Sequence, residues 1–463
     1  MPDARHQISL LAVTLFLLML AAIAVLPLFS HRFWERNLNK LLVAGVLSVP
    51  AAAYLVLAGH QAHLWHTLVF DYVPFVILLG ALFAITGGIS VTGDIEATPA
   101  VNTGFLALGA LLASFMGTTG ASMLLIRPLL QTNRERTLKV HTVLFFIGIV
   151  ANCCGVLTPL GDPPLFVLYL RGVPFAWFFQ LWPQWLFVNS VLLAVYYFVD
   201  TYCHRREPGI ALVRDELLIT PIRVQGKRNA LFLLGVVLSV ALLNEQYIEL
   251  IRANPLAKFI REVAILSMAL LSLAVSPRHA RERNNFTWGP IEEVAYLFLG
   301  IFVTMVPCVL YLEWNAHALG VVSPIQFYYA TGSLSSILDN TPTAVTFYSL
   351  AVGLGQTAPE MVASVPGVLV EAIAAGAVFF GSLTYIGNGP NFMVKAIAEE
   401  NGHPHARFLP VHPVLLATRP AARVRAGAVA AALTGVAHEP RALVSSRNAF
   451  TARANASGCS RWG

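Results

Sequence analysis

Charge is what this chain has least of. Charged residues make up 12% of its 463 residues and hydrophobic ones 57%, whereas a soluble globular chain carries about a quarter charged residues. That scarcity, with a mean hydropathy of +0.68, excludes a soluble domain and indicates a polytopic membrane protein. Cysteines are few and uninformative. Cys153, Cys154, Cys203, Cys308 and Cys459 show neither CxxC nor zinc spacing. The adjacent Cys153 and Cys154 read as small packing residues in an apolar helix. No cleavable signal peptide is evident, and the first apolar run is long enough to be a retained span. No His/Glu metal motif or nucleophile–base pair lies at depth, so a membrane-embedded enzyme finds no support and no cofactor is expected. The net charge of +6 comes from short basic loops between spans, as the positive-inside rule requires, and not from a nucleic-acid surface.

What is present is a series of apolar runs, several of them interrupted. Residues 9–29 form a first span. Arg32, Arg36 and Lys40 follow and belong in the cytoplasm. Residues 41–58 return outward to a loop with His60, His63 and His66 beside Trp65, read as interfacial rather than metal-binding. A third span runs from Val73 to Val91. The run from Val101 to Leu130 is broken by GTTGAS and ends at Arg127, Arg134, Arg136 and Lys139. It starts and finishes on the cytoplasmic side, so it reads as a re-entrant hairpin. His141 to Leu170 crosses outward with LTPLGDPP at its centre, and PFAWFFQLWPQW forms an aromatic belt. After an inward span from Leu186 to Val199 comes a basic cytoplasmic linker.

The second half repeats the plan. Spans at Leu231–Leu243, Phe259–Val275 and Ile291–Leu312 precede a run broken by LDNTPT, then one broken by SLTYIGNGPN. Hairpin break precedes helix break by 40 positions in the first half (Gly117 to Leu157) and by 44 in the second (Leu338 to Ser382). Five crossings in the first half reverse the orientation of the second. The expected fold is therefore an all-α polytopic membrane protein of two inverted-topology repeats, each with a re-entrant hairpin and a broken transmembrane helix. The N-terminal repeat covers 1–202, with hairpin tip 117–122 and helix break 157–164. A cytoplasmic linker covers 203–228. The C-terminal repeat covers 229–403, with tip 338–343 and break 382–391.

Three prolines and a charge inside LTPLGDPP have no place in a lipid-facing helix. Broken backbone at depth must line a cavity or be buried in protein. An intramembrane ionisable residue marks a functional site by default. Asp162 lies in one helix break and Asp339 in the hairpin tip of the other half. Around them lie Thr118, Thr119, Ser122, Thr158, Asn340, Thr341, Thr343, Thr384, Asn388 and Asn391. Carboxylate, hydroxyl and amide oxygens form the ligand set of a hard cation, and no Arg or Lys lies in any of the four breaks. Na⁺ held at Asp162 and Asp339 in exchange for a proton is the leading reading. A carrier of organic anions or oxyanions is the alternative, because half-helix N-termini can also face an anion. Each Asp has a plainer reading as a helix cap. Asp94 and Glu96 read as solvated, Glu292 and Glu293 as headgroup-level, and Glu371 as a candidate pathway residue.

GTTGASMLLIRPLL (Gly117 to Leu130), GVLTPLGDPPLF (Gly155 to Phe166), LDNTPTAVTF (Leu338 to Phe347) and GSLTYIGNGPNFMVKAIAEE (Gly381 to Glu400) together resemble the NhaD-type sodium/proton antiporters. These belong to the ion-transporter superfamily, which also holds citrate, dicarboxylate and arsenite carriers. The likeness covers roughly residues 10–402. It implies exchange of Na⁺, or Li⁺, for H⁺ across a bacterial inner membrane, by a homodimer in the lipid bilayer. From about His403 the chain departs from that pattern. Residues 404–463 hold eight arginines, no lysine and one acid, Glu439. Their apolar runs fall short of the roughly 20 residues a span needs. This stretch reads as an out-of-frame translation, with a genuine cytoplasmic tail as the alternative.

Overall fold

A computed structural model describes residues 8–400. Helices dominate, and the only sheets among those residues are two-stranded. In chain order they are α1 (Leu10–Phe29), α2 (Asn37–Leu57), α3 (Gln61–Thr86), β1 (Ser90–Asp94), α4 (Pro99–Met116), α5 (Thr118–Thr132), α6 (Val140–Ile149), α7 (Pro163–Leu170), α8 (Trp182–His204), α9 (Gly209–Leu217) and β2 (Thr220–Gln225). Then follow α10 (Asn229–Leu242), α11 (Phe259–Val275), α12 (Gly289–Asn315), α13 (Pro324–Ser335), α14 (Asn340–Leu354), α15 (Gly367–Phe380) and α16 (Gly389–Glu400). Six helical stretches among the described residues are long and apolar enough to cross a membrane. Leu11, Leu18, Val46, Leu57, Phe198, Leu231 and Leu270 are exposed on α1, α2, α8, α10 and α11. Those helices present apolar side chains to lipid, while α5, α7, α14 and α15 lie almost wholly inside. The protein is an all-α polytopic membrane protein.

Contacts sort the loops into two ends. At one end, Lys40 pairs with Glu293 at 2.9 Å. There too, Arg136 pairs with Asp200 at 2.7 Å, Asn229 donates to the Gly88 carbonyl, and β1 pairs antiparallel with β2. These are the loops whose Arg and Lys content predicted a common cytoplasmic side. At the other end, Arg171 pairs with Asp71 at 3.0 Å, and the His60 ring meets Trp314 at 5.8 Å. The base of the α4–α5 hairpin lies at the first end, where Asn102 and Asn133 exchange two hydrogen bonds of 2.9 and 2.8 Å. The base of the α13–α14 hairpin lies at the second, where Gln356 donates to the Val322 carbonyl. The third span of each half packs on the first two of the other: α3 on α10 and α11, α12 on α1 and α2. The returning hairpin arms cross over in the same way, α14 against α7 and α5 against α16.

Several expectations need correction. The histidine stretch is not a loop. Gln61–His66 is helical and runs through a π turn, Thr67–Tyr72, into the third span. That span ends at Thr86 and not Val91, because Ser90–Asp94 is drawn into the β1–β2 ribbon. The 203–228 linker is ordered: α9 and β2 lie within it. Its Glu207 accepts from the backbone N–H groups of Thr137 (3.0 Å) and Leu138 (2.7 Å). Against the upward push of burial, a bond from the Thr137 hydroxyl, then these two backbone bonds and the Arg136 charge, hold the Glu207 carboxyl below the ordinary range. Asp94 is half-buried and not freely solvated. Glu371 accepts a hydrogen bond from Gln184. The stretch 404–463 lies outside the described residues.

The breaks are displaced too. The first hairpin tip shrinks from 117–122 to Gly117 alone, at φ +83°. Only glycine holds that conformation without strain, and a Cβ there would come within 3.2 Å of the Leu160 carbonyl oxygen. Thr118 to Ser122 open α5. The helix break widens from 157–164 toward Val150, through a 3-10 turn at Cys153–Val156, and ends at Asp162. Pro163 and Pro164 start α7, where missing N–H groups cost nothing. The second tip is the turn before Asn340, so Asn340, Thr341 and Thr343 belong to α14. The second break closes at Asn388, and Asn391 lies in the first turn of α16.

Candidate functional site

Four half-helices begin at the centre of the molecule, and each contributes one side chain to the same point. Asp162 occupies the N-cap position of α7. A cap carboxylate normally accepts from the N–H of the second or third helical residue. Here Pro163 and Pro164 fill the first two positions, and no local side-chain cap bond forms. The carboxylate, 1% exposed, turns to other elements. Its Oδ1 accepts from Thr118 Oγ1 of α5 at 2.8 Å and from Asn388 Nδ2 before α16 at 3.3 Å. Its Oδ2 accepts from Asn340 Nδ2 of α14 at 2.5 Å. The backbone agrees: Thr118 N donates to the Gly161 carbonyl at 2.8 Å. Gly161 is obligatory there, since a Cβ would fall 2.2 Å from the Gly155 carbonyl oxygen.

Asn388 is positioned by a residue that sequence reasoning missed. Asn152, fully buried, accepts from Asn388 Nδ2 at 3.2 Å and donates to Asn391 Oδ1 at 2.6 Å and to the Ile147 carbonyl at 2.8 Å. Asn391 in turn donates to the Gly381 and Thr384 carbonyls, both at 2.9 Å. These bonds tie the two broken helices together across the halves. A lone Asn in the apolar stretch FFIGIVANCC was the available signal, since a polar side chain within a span needs a partner.

Asp339 is built differently. It caps α14, its side chain accepting from Thr341 N at 2.9 Å while Thr343 Oγ1 bonds its carbonyl at 2.9 Å. No hydrogen bond joins it to the Asp162 cluster among the described residues. Thr158 and Thr384 tie their breaks to the first hairpin arm of the same half: Thr158 donates to the Ser114 carbonyl and Thr384 to the Ser336 carbonyl. Thr119 faces a small cavity of about 70 Å³ between the α5 start, α3 and α12. Three buried oxygens in the first turns of α5 and α14 have no hydrogen-bond partner among the described residues: Ser122 Oγ, Asn340 Oδ1 and Thr341 Oγ1. Native structures leave few such groups, and each calls for an explanation.

The electrostatics follow from this geometry. Helix N-termini carry partial positive charge, and four of them converge here. The position where they would hold an anion is taken by the protein's own carboxylate. Every side chain hydrogen-bonded to Asp162 is neutral.

A family model described as "Putative citrate transport" matches residues 5–411. Two relatives are uncharacterized transporters of Mycobacterium bovis and Mycobacterium tuberculosis. Each is 25% identical over 443 residues, covering 86% of this chain and 92% of the relative. The long apolar helices and the match over most of the length agree: the chain is a multi-pass membrane transporter, not an enzyme, and belongs to this citrate-transport family of the ion-transporter superfamily.

Proposed function

We propose that this transporter exchanges Na⁺ or Li⁺ for H⁺ by alternating access, with Asp162 as the coupling carboxylate. One observation carries the reading: a fully buried carboxylate at the meeting point of four half-helices, with only neutral side chains bonded to it. An ionised carboxylate out of water costs several kcal/mol unless compensated. Neutral donors and helix ends offset part of that cost, and a proton or a bound cation offsets the rest. Those two ligands compete for one site, which is the chemistry of antiport. The unpartnered oxygens of Asn340, Thr341 and Ser122 suit a hard cation. The reading also takes 1–202 and 229–403 as inverted repeats, supported by the cross-packing of third spans and hairpin arms. A homodimer in a bacterial inner membrane completes it, as the resemblance to NhaD-type antiporters implies.

A second reading, a carrier of citrate-like anions, is favoured by the family description and by the four converging helix ends. Asp162 opposes it, because a buried negative charge repels a polycarboxylate. Dye-reported proton movement in inside-out vesicles separates the two. Antiport predicts proton release on adding Na⁺ or Li⁺ and none on adding citrate with a K⁺ counter-ion. Citrate-driven flux without a Na⁺ or Li⁺ response would sink the antiport reading.

A further inference from the structure

Two cavities flank the site, one at each end of the molecule, and their charges are organised differently. The outer one, about 590 Å³, is bordered by cations that have carboxylate partners, apart from Arg252, which donates to the Glu245 backbone carbonyl. Arg261 pairs with Glu262, Lys258 with Glu245, and Arg171 with Asp71. The inner one, about 690 Å³, lies between the last turns of α5, strand β1, the short helix Arg278–Arg283 and the end of α16. Arg127, Arg134, Lys139 and Arg283 line it against a single carboxylate, Glu400. None of these four cations takes part in an ion pair among the described residues. Lys139 Nζ donates to the Arg134 carbonyl oxygen at 2.9 Å, and Arg127 Nη1 is buried with no hydrogen-bond partner.

We infer that this inner cavity is a binding site for a phosphate-bearing anion, separate from the Asp162 cluster. Four cations around one space repel each other, and a polyvalent anion between them relieves that repulsion. Guanidinium groups present paired N–H donors that match phosphate oxygens. Small-molecule sites run to roughly 300–1,000 Å³, so the space admits a ligand larger than one phosphate ion. The cavity opens at the end of the bundle where the basic loops gather, and basic pockets between membrane helices on that side also take phosphate headgroups. The shared chemistry is phosphate, dissolved or on a lipid. No lining residue hydrogen-bonds Asp162, so the inference does not rest on the transported ion. Arg127 shares α5 with Thr118, so an occupant would touch the same hairpin arm that reaches Asp162.

Inorganic pyrophosphate titrated into the detergent-purified full chain by calorimetry tests the dissolved form. Nanodiscs with and without phosphatidylglycerol, read by native mass spectrometry, test the lipid form. Saturable binding of either probe, weakened about tenfold or more by R134Q/R283Q, is expected from the loss of two charge-assisted contacts. Both of those residues are exposed, so the double variant spares the core; R127Q adds a test at a half-buried residue. Pyrophosphate binding in lipid-free micelles identifies a dissolved ligand, and retention of phosphatidylglycerol without pyrophosphate binding identifies a lipid. Binding of neither probe, binding indifferent to the substitutions, or binding of citrate alone would overturn the inference.

Discussion

Asp162 and Asp339 begin half-helices in opposite halves of the chain, and both occupy N-cap positions. Asp339 does what a cap does: its side chain accepts the Thr341 N–H of its own helix. Asp162 caps nothing with its side chain: prolines fill the first two helical positions, and the next N–H, that of Leu165, donates to the Asp162 backbone carbonyl at 3.0 Å. Its carboxylate is left for Thr118, Asn340 and Asn388, from three other elements. Local backbone chemistry thus separates an acid whose side chain caps its own helix from one whose carboxylate is shared among other elements, although both lie in polar breaks.

The sharpest way to break this comparison is to exchange the carboxylates for amides. Asp162→Asn is expected to reduce Na⁺-dependent proton movement in vesicles to background while the purified protein still elutes as a single species. Asp339→Asn keeps a good capping side chain and is expected to transport within about twofold of the parent, since it leaves the Asp162 contacts intact. Equal loss in both variants would return Asp339 to the coupling site.

Removing donors should produce a smaller change. Asn388→Ala deletes a bond to Asp162 and the contact with Asn152. Hydrogen bonds to charged groups are worth about 1.5–3 kcal/mol, so the apparent cation affinity should shift by about tenfold or more. Asn152→Ala, which does not touch Asp162, should shift it less. It should cost more stability, about 1–3 kcal/mol, because it leaves Asn391 Oδ1 buried without its donor. Thermal unfolding in detergent beside transport assays reads both.

Next comes the cap itself. Asp339→Ala should lower stability by about 1 kcal/mol, the usual value of an N-cap, and a wild-type melting curve would contradict the capping role. The smallest effect belongs to a third acid, Asp94, outside the membrane on β1. Burial, then the charges of Glu135 and Asp215, push its carboxyl from 3.8 up to about 6, with Arg134 pulling the other way. A carboxyl raised on folding stabilises the fold while protonated. Its contribution is complete below the unfolded value of about 3.9 and disappears as pH rises through about 6. Asp94→Asn should therefore flatten the fall in melting temperature between about pH 4 and pH 7. An unchanged pH profile would argue that the β1–β2 ribbon is insensitive to this charge.

Much of the fold is legible in the sequence, because lipid imposes strict rules. Apolar runs marked the spans, and Phe259–Val275 holds to the residue. Arg and Lys placement grouped the loops that share one end. Break positions were legible from Gly, Pro and polar residues, but their extents were not. Thr118 and Asn340 looked like tip residues and are helix residues, because a single φ of +83° at Gly117 suffices to turn the first hairpin. The β1–β2 ribbon was hidden since its strands are 5 and 6 residues long and depend on a partner more than a hundred positions away.

The sequence by itself determined that the Asp162 side chain has few donors in its own helix, since GDPP removes the first two N–H groups whatever the rest of the chain does. It also determined that no Arg or Lys lies in the four breaks. Which groups the freed carboxylate would meet was decided only by the tertiary structure. Asn340 lies 178 positions from Asp162, and Asn391 lies 239 from Asn152. The physical reason is range. Capping and helix breaking are settled within a few residues of backbone. The polar partners of a side chain buried in a membrane protein are whatever the packed helices bring to it.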